Sequence, residues 1–229
     1  MRSKRDQSYE NWVSIFAVVC ALFVGLLIAE ARRKFFIVRP LRERRLGHLN
    51  QNPPKREDVV FLGDSLMHGA EWSAYFREFS VRNFGVAGDT TENVLKRLRN
   101  ITEHRPQVIV LMAGTNDITA GLSAKTTIRN LACIIGEIRE QSPQTSIILH
   151  TLLPRQRRYR RRIELVNDEI RTRLSPLVDA LVDLHPYFVD RAGALRPEMT
   201  NDHLHLLTSG YRIWSRELLP RLTMVLGND

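Results

Sequence analysis

From Asp58 onward, short apolar runs alternate with longer stretches of mixed polarity. The runs Val59–Leu62, Val81–Phe84, Val108–Met112, Ser146–Thr151 and Ala180–Leu184 read as strands. The first, third and fourth are continuous and rich in β-branched residues, as expected of strands buried on both faces. Between them the period changes. Ile128, Leu131, Ile134, Ile135 and Ile138 fall on one helical face, with Ser123 placed to cap it, and Ile163, Val166, Ile170 and Leu174 make a second stripe. Strand–helix alternation of this kind predicts an α/β fold: a three-layer α/β/α sandwich around a parallel five-stranded sheet, flavodoxin-like. Ligands of such sheets bind beyond the carboxyl ends of the strands.

One run differs from these. Trp12–Ala29 holds eighteen residues without a charge, bounded by Glu10 and by Arg32-Arg33-Lys34. That length predicts a membrane-spanning helix. It exceeds the roughly 7–15 apolar residues of a cleaved signal, and the basic cluster after Ala29-Glu30-Ala31 would hinder export, so an uncleaved anchor is expected. Basic residues flank both ends, so the side on which the domain lies is left open, although the larger set follows the span. The chain then divides into a tail at 1–11, a single-pass transmembrane anchor at 12–29, a basic juxtamembrane segment and linker at 30–57, and a folded domain at 58–229. Within the third part, Pro40, Gly47, Asn50 to Asn52 and Pro53-Pro54 mark 39–57 as polar linker.

Composition narrows the functional classes. A chain of 229 residues, 43% hydrophobic and 26% charged, holds one ordinary domain with an appendage and is not disordered. Two cysteines, Cys20 and Cys133, exclude a disulfide scaffold and a four-cysteine zinc site. The net charge of +9 is local: residues 1–57 carry twelve basic against five acidic residues, and residues 58–229 carry 22 against 20. Six of those 22 are Arg155, Arg157, Arg158, Arg160, Arg161 and Arg162. With no basic face elsewhere and only Tyr159 interleaved, a nucleic-acid role is not expected. A solvated loop accounts for the arginine run; contact with anionic lipid headgroups is the sharper reading.

The candidate chemistry lies after the strands. Gly63-Asp64-Ser65-Leu66 follows the first, where a serine in a sharp strand-to-helix turn presents its hydroxyl at the sheet edge. Gly88 follows the second and can leave its N–H open to a ligand, in a loop before a helix capped by Asp89 or Thr90. Asn116 follows the third, with a side-chain amide able to donate. Near the C-terminus Asp202 stands three residues before His205, a spacing that lets a carboxylate orient an imidazole. Each signal alone also fits an ordinary turn or cap. His203-x-His205 has only Asp202 as a further ligand nearby, so no metal is expected, and no cofactor either. Gly-x-Ser-x-Gly and a P-loop are both absent. His68, His150 and His185 read as structural.

Taken together, FLGDSL, NFGVAGDTTENVLKRL, VIVLMAGTND and DHLHLLTSGYRIW resemble the four blocks of the SGNH/GDSL hydrolase superfamily over about residues 58–223. The likeness is greatest to the branch of thioesterase I/lysophospholipase and the platelet-activating-factor acetylhydrolase catalytic subunits. His203 stands where Gly is frequent, and Leu207 where Asn or Thr is. The resemblance implies Ser65 as nucleophile, His205 as general base and then acid, and Asp202 as its orienter. It implies an oxyanion hole of the Ser65 N–H, the Gly88 N–H and the Asn116 side chain. The expected function is a membrane-anchored serine esterase cleaving lipid or thioester acyl groups through an acyl-enzyme. A carbohydrate O-acetylesterase is the alternative substrate reading, and a catalytically idle, membrane-tethered binding module the alternative of another class. The sequence leaves the oligomeric state open.

Overall fold

Unbroken Val, Ile and Leu runs need cover on both faces, and a parallel sheet between two helical layers supplies it. The computed structural model describes residues 4–33 and 39–227. It places strands at Val59–Gly63 (β1), Val81–Gly85 (β2), Val108–Met112 (β3), Ser146–His150 (β4) and Ala180–Val182 (β5). All five expected strands form, and β4 and β5 end one and two residues early. They make one parallel sheet in the order β2-β1-β3-β4-β5, with Val59 level with both Val81 and Val108. Every residue of β1 and β3 is buried, while edge strand β2 is half-exposed over Val81–Asn83. The order reverses beside β1, so the crevice between the loops after β1, β2 and β3 is the switch point at which such sheets bind ligands.

Both Ile/Leu stripes are buried, and Ser123 caps the helix Ala124–Gln141, its hydroxyl accepting from Thr126 N at 3.1 Å. The helix Arg160–Glu169 runs into a π-turn at Ile170–Leu174, which keeps Ile170 and Leu174 on the buried side. On the other face the C-terminal helix Thr208–Leu226 brings Trp214 edge-on to Trp72, 5.2 Å between centroids. Trp72 in turn stacks on Phe61 of β1 at 4.3 Å. This aromatic cluster lies beneath the segment that carries Ser65, and such pairs add about 0.5–1.5 kcal/mol each beyond their buried area. His150 sits in the same layer. Burial pushes its imidazole down to about 3, so it is neutral and accepts from Trp214 Nε1 at 3.2 Å.

Two expectations for the N-terminal part are corrected. The chain separates into two units, Met1–His48 and Leu49–Asp229. Residues 39–51, read as linker, are helical from Arg39 to Gln51. Leu, Arg, Glu and Gln outweigh the single Gly47, Pro40 sits in the first turn where it is tolerated, and Arg39 pairs with Glu43 at 2.8 Å. The run 12–29 lies inside one helix, Lys4–Arg33, but the membrane span expected there is not supported. Among the described residues no helix is long and apolar enough to cross a membrane. The side chains at 12–14 and 17 of that run lie outside those described.

Candidate active site

The turn after β1 is built so that Ser65 opens a helix. Asp64, not Ser65, is the cap: its Oδ1 accepts from Leu66 N at 2.9 Å, and Ser65–His68 forms one helical turn. Three side chains hold that turn by its carbonyls. Asn83 Nδ2 donates to Met67 O at 3.0 Å and Ala70 O at 2.9 Å, Trp72 Nε1 to Met67 O at 2.8 Å, and Tyr211 Oη to Leu66 O at 2.9 Å. The turn lies so close to β2 that a Cβ on Gly85 would stand 2.2 Å from His68 N, which admits only glycine there.

The loop Thr200–Leu206 brings the C-terminal pair over this turn, closed by an antiparallel bridge between Thr200 and Leu206. His205 Nδ1 donates to Asp202 Oδ2 at 2.6 Å, and Ser65 Oγ donates to His205 Nε2 at 3.0 Å. Asp202 Oδ1 meanwhile accepts from Leu204 N at 2.9 Å and His205 N at 2.8 Å. Partial burial pushes the Asp202 carboxyl up, but the imidazole and these two amides outweigh it and hold it down at about 2. An anionic Asp202 fixes the tautomer of His205, which leaves Nε2 free to accept a proton. Both side chains are about half exposed, 51% and 50%. Solvent therefore screens their attraction, and the pair orients the ring rather than stabilising the fold.

His203, where glycine is frequent in the resemblance, has φ +60°. The loop needs a left-handed residue there, and a side chain in that region costs about 1–2 kcal/mol. Leu207, where Asn or Thr is frequent, is the N-cap of the last helix and provides no side-chain cap.

On either side of Ser65 lie the other two expected donors. Gly88 has φ +80° and open space where a Cβ would be. Thr90, rather than Asp89, caps the next helix, its Oγ1 accepting from Asn93 N at 3.3 Å. Asp89 instead ties two loops together. Its carboxylate accepts from Arg97 Nε at 2.7 Å, and its carbonyl accepts from Asn116 Nδ2 at 2.9 Å. One amide hydrogen of Asn116 is thereby committed and the other remains to donate. Arg97 Nη2 also reaches Gly63 O at 3.0 Å, joining the β2 loop to the end of β1. Nothing in the sequence marks Asp89 and Arg97, eight residues apart, as a pair.

Asp64 was legible only as part of a turn. It is fully buried, and its Oδ2 accepts no hydrogen bond. Burial pushes its carboxyl up to about 7; the Leu66 amide and His205 pull against this, and Asp89 and Asp117 add to it. The folded chain thus binds more protons than the unfolded chain between pH 4 and 7, and unfolding free energy should fall as pH rises through that window. A rise from 3.8 to about 7 corresponds to on the order of 4 kcal/mol at 1.36 per unit. Urea unfolding at a series of pH values should show a shallower slope in Asp64→Asn than in the wild type. Parallel slopes would contradict the assignment.

The arginine run is corrected in part. Arg157, Arg158 and Arg161 are exposed, as an anionic-surface contact requires, and Arg160 is exposed but paired with Glu164 at 2.8 Å. Arg155 is buried and Arg162 half-buried, each hydrogen-bonded to the segment after β3. The carbonyls they find there outcompete water for these two guanidinia.

A family model described as GDSL-like Lipase/Acylhydrolase matches residues 61–213. The chain belongs to that family. Platelet-activating factor acetylhydrolase IB subunit alpha1 of Homo sapiens is 35% identical over 185 residues, 76% of this chain and 79% of the relative. The alpha2 subunit of Rattus norvegicus is 34% identical over 167 residues, 69% of this chain and 72% of the relative. The crystal structure of a GDSL-like lipase from Bacteroides thetaiotaomicron superposes with TM-score 0.69 at 22% identity, covering 79% of this chain and 97% of that one. The GDSL-like lipase/acylhydrolase described here is thus an ester-hydrolysing enzyme, and the idle binding module is set aside.

Proposed function

We propose that this GDSL-family enzyme is a serine esterase that releases short acyl groups, acetyl above all, from a lipid. The observation that carries it is the continuous chain Ser65 Oγ, His205 Nε2 and Nδ1, Asp202 Oδ2, with links of 3.0 and 2.6 Å. His205 takes the Ser65 proton as Oγ attacks the ester carbonyl. The negative charge on the former carbonyl oxygen is met by the N–H groups of Ser65 and Gly88 and by the Asn116 amide. Collapse expels the alcohol, which leaves with the proton from His205, and the acyl group stays on Ser65. Water then attacks the acyl-enzyme, giving its proton to His205, and Ser65 is regenerated with release of the acid.

The acetyl preference rests on the acetylhydrolase relatives at 34–35% identity. A fluorophosphonate should modify the protein at Ser65, as located by peptide mapping. Modification elsewhere, or none, would overturn the mechanism. Acetyl, butyryl and octanoyl esters assayed beside acetylated sugars should rank acetyl lipid esters first; faster turnover of the sugars would favour a carbohydrate O-acetylesterase.

Membrane association of the N-terminal helix belongs to the same proposal. Its support is that Ile15, Phe16, Leu22, Phe23, Leu26 and Leu27 are all exposed, more apolar surface than a helix in water normally leaves open. The full chain should sediment with lipid vesicles through this exposed apolar surface, whereas a chain beginning at Leu46 should stay in the supernatant and keep its activity. Recovery of the full chain in the supernatant beside the vesicles would refute the association.

A further inference from the structure

The Asn116 side chain rides on a helix of only five residues, Thr115–Thr119. So short a helix has too few internal hydrogen bonds to fix its own orientation, and it needs ties to the chain around it. Two arginines supply them. Arg155, in the loop after β4 and 6% exposed, donates from Nη1 to Thr115 O at 3.0 Å and to Thr119 Oγ1 at 2.6 Å. Its guanidinium lies over the Tyr159 ring, 4.6 Å from the centroid, which shields it from water. Arg162 donates from Nη1 to Ile118 O at 3.0 Å and from Nη2 to Leu122 O at 2.6 Å. At the helix start, Asp117 accepts from Thr91 N at 2.9 Å and from the Thr91 hydroxyl. Asn116 stands between these ties, one residue from Thr115 and one from Asp117.

We propose that Arg155 is a positioning residue for oxyanion stabilisation: it holds the Thr115–Thr119 helix so that the uncommitted amide hydrogen of Asn116 meets the developing oxyanion. Arg162 is the second tie on the same helix. Arg155 touches no reacting atom. Its contribution passes through Asn116, because the carbonyl it binds belongs to the residue immediately before that donor. The inference rests on the serine-esterase reading above, in which Asn116 stabilises the oxyanion. It gives Arg155 a role that an anionic docking surface would not.

The test is a double-mutant cycle on the full chain with p-nitrophenyl acetate, with active sites counted by stoichiometric fluorophosphonate labelling so that kcat refers to competent molecules only. Arg155→Met should lower kcat by about tenfold to a hundredfold with KM changed less than about twofold, the loss expected of a displaced catalytic donor. Arg155→Lys keeps one cationic donor and should recover part of that loss. In the Asn116→Ala background, Arg155→Met should cost less than about a further twofold, because the group it positions is already gone. An equal fold loss in both backgrounds would overturn the proposal, as would an unchanged kcat per active site in Arg155→Met. If Arg155→Met does not fold, the same cycle with Arg155→Lys decides by the same criterion. Absence of labelling in the wild type, or hydrolysis retained in Ser65→Ala, would instead remove the serine-esterase reading itself.

Discussion

Alanine at Ser65 should lower turnover of a small acyl ester by about 10⁵- to 10⁶-fold, the loss found when the nucleophile of a serine hydrolase is deleted. Deletion leaves His205 with no hydroxyl to deprotonate and the acyl group with no atom to join. Only binding and the oxyanion donors then remain to favour attack by water. Stability should change little. Ser65 is half-exposed, and its turn is held through the carbonyls of Leu66, Met67 and Ala70 rather than through its own hydroxyl. The measurement is kcat at saturating ester beside the thermal midpoint. Turnover above about 1% of wild type in a folded Ser65→Ala protein would end the nucleophile assignment.

Asn116→Ala should lower kcat by about 10²- to 10³-fold and leave KM nearly unchanged. The ground-state carbonyl is a weak acceptor, whereas the oxygen becomes anionic as Ser65 attacks, so the amide matters chiefly in the transition state. Asn116 also donates to Asp89 O at 2.9 Å, so its removal leaves a carbonyl short of a partner and costs some stability. A thermal-midpoint measurement separates that cost from the kinetic one. A proportionate rise in KM with kcat intact would mean that Asn116 binds substrate rather than the transition state.

Much of this site can be read along the chain because its determinants are local. Ser65, Gly88 and Asn116 each follow a strand whose apolar run identifies it, and Asp202 and His205 are three residues apart. The five strands, the stripe-bearing helices and the residues at the carboxyl edge follow from the order of residues alone, since unbroken β-branched runs have no other way to be buried. Other features depend on neighbours far away in the chain. Arg155 and Arg157 look alike in a run of six arginines, yet only the first meets the carbonyl of Thr115, 40 residues earlier. A flexible stem lets a guanidinium turn either way, and the partner it finds decides. His203 is marked in the sequence only as standing where Gly is frequent in the resemblance; its left-handed backbone, in the loop closed by the bridge between Thr200 and Leu206, is seen in the folded chain. The raised carboxyl of Asp64 follows from its complete burial and from Asp89 and Asp117, carried by the segments after β2 and β3. Periodicity and motif spacing record which side chains reach the sheet edge; only the folded chain sets their solvent, their partners and their charge.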